Sequence, residues 1–113
     1  MKKLICIALL ASTSAYAGNF FDGNKLLEQL DSKDLGFYGM GVGYLMGVHD
    51  TSDGEIFCSP GVIKAGQLVD MVRNDLNRLP EMRHMPADVL VRVTLGRAWP
   101  CPKKNNGSGS KSL

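Results

Sequence analysis

Apolar residues recur at helical spacing in four stretches of the chain. In DGNKLLEQLDS, which begins at Asp22, Leu26, Leu27 and Leu30 fall on one side. Asp22 or Asn24 stands where a side chain accepts the unpaired N–H groups of a helix start. The next stretch, DLGFYGMGVGYLMGVHD, predicts a second helix. In it Gly39, Gly43 and Gly47 repeat every four residues among Tyr38, Val42, Tyr44, Leu45, Met46 and Val48. Glycine inside a helix costs about 1 kcal/mol relative to alanine, so three on one face predict a backbone packed closely against it. An irregular glycine-rich loop is the competing reading.

The segment HDTSDGEIFCSP, residues 49–60, is polar and turn-forming, and predicts an exposed loop that turns at Asp53-Gly54. Residues 63–79 then place Leu68, Val69, Val72, Leu76 and Leu79 on one side of a third helix. Asp70, Arg73, Asn74, Asn77 and Arg78 lie on the other. Pro80 ends that helix, and the link Glu81–Met85 comes next. Pro86 then opens a last helix that runs through Val89, Leu90, Val93 and Ala98 and stops at Pro100. Apart from VLVRV at Val89–Val93, which would also suit a strand, no useful alternation appears. The expected fold class is all-α, a small four-helix domain.

The first residues alter the meaning of the cysteines and of the charge balance. Lys2 and Lys3, the apolar stretch Leu4–Ala11 and the small-x-small site Ala15-Tyr16-Ala17 together read as a cleaved export signal over residues 1–17. The apolar stretch falls well short of the ~20 residues that span a bilayer, so no stable membrane insertion is expected after cleavage. Export discards Cys6 and leaves Cys58 and Cys101, which an oxidising compartment would join. Such a bridge would tie the loop before the third helix to the end of the fourth. By the loop-entropy argument it is worth about 4 kcal/mol, which matters for so small a core. The expected organisation is a signal peptide at 1–17, a helical domain at 18–101 and a disordered polar tail at 102–113.

Without Lys2 and Lys3, eleven of the thirteen basic residues remain against eleven acidic ones. A neutral surface argues against nucleic acid or anionic lipid as partner, since both need a concentrated positive field. The candidate chemistry is sparse. Gly39-Met-Gly41-Val-Gly43 lacks the spacing and flanking strand of a nucleotide-binding turn. His49, Asp50, Asp53 and Glu55 offer one histidine among flexible acids, with His84 remote, which is a poor set of metal ligands. Cys58 has a disulfide partner and so makes a poor nucleophile. Trp99, beside Cys101, reads as an aromatic packed over the bridge. The link Met82-Arg83-His84-Met85 reads either as an adaptable contact surface or as a plain connector. No catalytic group, metal or cofactor is expected.

Taken in order, several pieces resemble the Rap/Tai group of type VI secretion immunity proteins, small periplasmic helical proteins that neutralise peptidoglycan amidase toxins. They are Phe21-x-Gly23-Asn24-x-Leu26-Leu27, Gly43-Tyr44-Leu45-x-Gly47-Val48-x-Asp50, Phe57-Cys58-x-Pro60, Gln67-Leu68 and Trp99-Pro100-Cys101. The resemblance implies a four-helix periplasmic domain, frequently a homodimer, that occupies the toxin's active-site cleft. The family commonly has a second disulfide between its first two helices; here those places fall near Leu30 and Gly41, and neither is cysteine. Under this reading Asp50, Asp53 and Glu55 of the loop meet a peptidoglycan-hydrolase toxin. Asp70, Arg73, Asn74, Asn77 and Arg78 supply a second contact, and Gly39, Gly43 and Gly47 pack a helix or a dimer. Two other readings share these features. One is an inhibitor of another wall hydrolase, such as a lysozyme or phage lytic enzyme; the other is a homodimeric adaptor.

Overall fold

The computed structural model describes residues 20–103. The signal peptide expected at 1–17 and the tail beyond residue 103 lie outside the described residues. Four helices succeed one another: α1 Gly23–Leu30, α2 Leu35–Ser52, α3 Ala65–Arg78 and α4 Ala87–Ala98, with a short 3-10 turn at Pro80–Met82 between the last two. Among the described residues no β-strand forms, and the VLVRV stretch is helical.

Asp22 starts α1 by accepting the Lys25 N–H at 2.8 Å. The first helical N–H groups have no intrahelical partner. Gly23 N donates to Met85 O and Asn24 N to Arg83 O, both at 3.0 Å, so the α3–α4 link caps the start of α1. That close approach requires glycine: a Cβ on Gly23 would lie 2.9 Å from Arg83 Cα and 2.6 Å from Leu90 Cδ1. Leu26, Leu27 and Leu30 are buried, as their spacing predicts.

Asp34 caps α2 through the Phe37 N–H at 2.8 Å. The helix runs on to Ser52, past His49 and Asp50, which the sequence placed in a loop. The reason is tertiary. Gly41, Leu45, Val48 and Ser52 form one buried stripe, and the Ser52 hydroxyl at its end accepts from Arg92 Nε of α4 at 2.9 Å. The glycine row does not pack against another helix of the described chain. A Cβ on Gly39, Gly43 or Gly47 would meet nothing within 4 Å among the described residues. The close approach falls instead at Gly41, where a Cβ would lie 3.0 Å from Gln29 Cβ and 3.2 Å from Leu30 Cδ2. The contact between α1 and α2 is therefore made by the one glycine of the segment that sits on the buried stripe.

Leu68, Val69, Val72 and Leu76 bury the predicted face of α3. In α4 the buried stripe is Ala87, Val91, Thr94 and Leu95; Leu90 packs half-buried against the core beside it, whereas Val89 and Val93 face outward. Val89 is 37% exposed and Val93 52%. The helix is apolar on two adjoining sides, and periodicity alone could not choose between them. The core gathers around Phe57, which is fully buried and sits between His49, at 5.5 Å between ring centroids, and Trp99, at 6.3 Å. Trp99 packs on this core as its sequence context predicts. Cys58 and Cys101 form the expected disulfide, with Cα atoms 4.8 Å apart, and Cys58 N donates to Trp99 O at 2.8 Å beside it.

Candidate functional site

The C-terminal end of α2 carries the acidic residues that the sequence singled out. Asp53 closes the helix and begins a tight turn in which Gly54 takes φ +88°, a conformation that favours glycine. Glu55 N and Ile56 N both donate to Ser52 O, at 3.2 and 2.9 Å, and Gly54 N donates to Phe57 O at 2.7 Å. The turn therefore wraps the last carbonyl groups of α2, and Phe57 plugs it into the core.

Asp53 does more than border this turn. One carboxylate oxygen accepts the Ser59 N–H at 2.8 Å and the other accepts the Ser59 hydroxyl at 2.6 Å. The Ser59 hydroxyl, then the Ser59 N–H, hold this carboxyl below the usual aspartate value, because both bonds favour the charged form. Asp53 thus staples the turn to the segment that carries Cys58. Asp50 differs: its side chain is 77% exposed, and its contact is with the neighbouring His49 ring, Nδ1 to Oδ1 at 3.0 Å. Glu55 is exposed beside Ile56.

Among the described residues no lysine or arginine pairs with Asp50, Asp53 or Glu55. Carboxylates at a helix C-terminus also meet the negative end of its dipole, an unfavourable arrangement. The end of α2 is thus a local concentration of negative charge whose nearest basic group is the His49 ring, 3.0 Å from Asp50 and 3.9 Å from Asp53. Met46 and Val62, both exposed, flank a shallow groove of about 270 Å³ that reaches His49 and Asp50.

The second predicted set does not join this cluster. Arg73 donates from a guanidinium nitrogen to the Leu30 carbonyl at the end of α1 and lies 3.0 Å from Asp31 and 3.7 Å from Asp70. It caps α1 with a cation at its negative end, which sequence reasoning read as a free polar face. Arg78 pairs with Asp75 one turn back on α3, which accepts from it at 2.7 Å. Asn74 and Asn77 remain exposed on α3. Sequence reasoning missed Ser59, which pins the turn, and the Asp75, Thr94 and Arg97 cluster that joins α3 to α4. The first had a faint signal, a serine shortly after an Asp-Gly turn; the second had none, since its members are far apart in sequence.

The arrangement offers hydrogen-bond acceptors and a rigid edge. Cys58 is held in the disulfide and has no thiolate to attack with. Among the described residues no three His, Cys, Asp or Glu side chains converge to hold a metal ion. Nor, among them, is any helix long and apolar enough to cross a membrane.

The family model described as Rap1a immunity proteins matches residues 22–101. That range opens at the Asp22 cap and closes at Cys101, so it takes in all four helices and both bridging cysteines. A comparison with curated proteins finds no match.

Proposed function

The chain belongs to the Rap1a immunity protein family, and from that premise we propose that it binds and blocks a peptidoglycan amidase toxin delivered by type VI secretion. It acts in the periplasm, after removal of residues 1–17, as a binding protein and not as an enzyme. The observation that carries this reading is the acidic end of α2, unpaired with any lysine or arginine among the described residues, where Asp50 stands exposed on the last turn of the helix and Glu55 on the turn fixed by Asp53 and the disulfide. A pre-formed protrusion loses little conformational entropy when it enters a cleft, and unmatched carboxylates gain most from a basic rim. Asn74, Asn77 and Arg78 on α3 supply a second contact. Asp70 and Arg73 hold α1 in place behind it.

A capture experiment tests this. The protein is used as bait in a periplasmic extract of cells that carry the secretion system, and the captured material is assayed for amide-bond cleavage in peptidoglycan. Capture of an amidase whose activity falls on stoichiometric addition supports the proposal; capture of a glycan-cleaving enzyme replaces the amidase with another wall hydrolase. The open Gly39, Gly43 and Gly47 face gives a companion reading, a homodimer through α2, because nothing within the described chain covers it.

A further inference from the structure

Val89 and Val93 are apolar, exposed and on the same side of α4, and the Met82–Met85 link lies beside them. Together with Leu79 and Leu90 they line a groove of about 80 Å³ along the seam of α3 and α4, with an almost wholly apolar surface. Exposed apolar side chains scattered singly mean little, but a continuous patch with two methionines marks a contact surface. The groove does not end there. Past Asp75, Thr94 and Arg97 it opens into a second, more polar hollow of about 350 Å³ that reaches Asn74 and Arg78.

The charges at this junction are unequal. Asp75 accepts from Arg78 with one oxygen, at 2.7 Å, and from Thr94, at 2.8 Å, and Arg97 with the other. One carboxylate therefore serves two guanidinium groups and a hydroxyl. Arg78 is 60% exposed and Arg97 51%. Each guanidinium has five N–H donors, and the structure occupies one nitrogen of each, so the remaining donors face outward with a net positive charge.

We propose that the α3–α4 seam is a docking site for a segment of a partner protein in which a bulky apolar side chain is followed, within one helical turn, by a carboxylate. The apolar side chain seats among Leu79, Met82, Met85, Val89 and Val93. The carboxylate bridges Arg78 and Arg97, where planar guanidinium groups favour two-point recognition. A basic segment would meet like charge at the same place. This face lies apart from the acidic end of α2 but shares Asn74 and Arg78 with the second contact proposed above, so the inference deepens that contact, and the peptide assay below reads the seam without the toxin.

Fluorescence anisotropy with two labelled helical peptides tests it. One presents two leucines four residues apart with two glutamates on the next turn, and the other has lysines in place of the glutamates. The glutamate peptide should bind the purified protein at least tenfold more tightly. Val93→Asp should weaken that binding at least tenfold, and Arg97→Gln should reduce the preference between the peptides to under threefold. Both variants are checked for an unchanged circular dichroism spectrum. Absence of glutamate-peptide binding, or equal binding of both peptides, overturns the proposal. So does a protein dimer that Val93→Asp converts to monomer, since the seam would then belong to a second copy.

Discussion

Asp53 and Ser59 are joined twice, with the Ser59 N–H and hydroxyl each donating to a different oxygen of one carboxylate. These bonds bring the end of α2 against the segment that enters the disulfide. The acidic turn is consequently a fixed feature of the fold, with Asp53 holding it, Glu55 displayed on it and Asp50 on the last helical turn beside it.

The pH dependence of this staple is set by its sign. A carboxyl whose folded value is depressed contributes stability that is present above its unfolded value and lost as pH falls through the folded one. The Ser59 amide resonance should therefore move in acid with a midpoint below the ordinary aspartate value. A midpoint at or above that value would show that the paired bonds do not form in solution. Asp53→Ala should abolish the transition, while Asp50→Ala leaves it in place.

Separating display from support also predicts how binding responds. Asp50→Ala and Glu55→Ala should each lower affinity for the captured toxin with no loss of melting temperature, and their combination should weaken it at least tenfold, or about 1.4 kcal/mol. Asp53→Ala should change both quantities. Titration calorimetry paired with thermal melts reads the difference, and full affinity in the Asp50/Glu55 double variant would remove the α2 end from the interface.

Breaking the bridge by Cys58→Ser with Cys101→Ser should cost about 2–4 kcal/mol, because the unfolded chain regains the freedom of a long loop. Urea denaturation of both forms measures it. A loss below about 1 kcal/mol would mean that the turn and Trp99 hold this end of the molecule without covalent help.

Substitutions in α4 distinguish the two apolar sides. Leu95→Ala, at a fully buried position, should destabilise by about 2–5 kcal/mol. Val93→Ser, at a half-exposed one, should stay within about 0.5 kcal/mol. Equal costs would put the inward stripe where periodicity first suggested.

The helix glycines Gly43 of α2 and Gly23 of α1 separate in the same way. Gly43→Ala adds a methyl in open space and should stabilise the helix by up to about 1 kcal/mol. Gly23→Ala drives a methyl against the Arg83 backbone and should destabilise by about 1–3 kcal/mol. Should Gly43→Ala instead reduce self-association in analytical ultracentrifugation, the open face is a dimer contact.

Much of this protein was legible in one dimension. Leu26, Leu27 and Leu30, then Leu68, Val69, Val72 and Leu76, announce α1 and α3 by spacing, because each helix has one apolar side to bury. Asp22 and Pro80 mark ends by local chemistry that needs no partner, and Cys58 and Cys101, the two cysteines of the helical domain, allow a single pairing. The acidic turn was visible through Asp53-Gly54. What the chain alone did not settle is wherever a residue has two compatible environments. Asp53 reads as a free carboxylate until Ser59 lies within hydrogen-bond reach, and Arg73 reads as solvated until the end of α1 arrives beside it. Gly39, Gly43 and Gly47 make the visible pattern while Gly41, outside it, makes the contact. Val89 and Val93 match a core pattern as well as Val91 and Leu95 do. Local sequence sets propensity and period, which involve neighbours a few positions away. Which of two apolar sides is buried, and which charges find partners, depends on the packing of helices distant along the chain, and only the folded structure decides that.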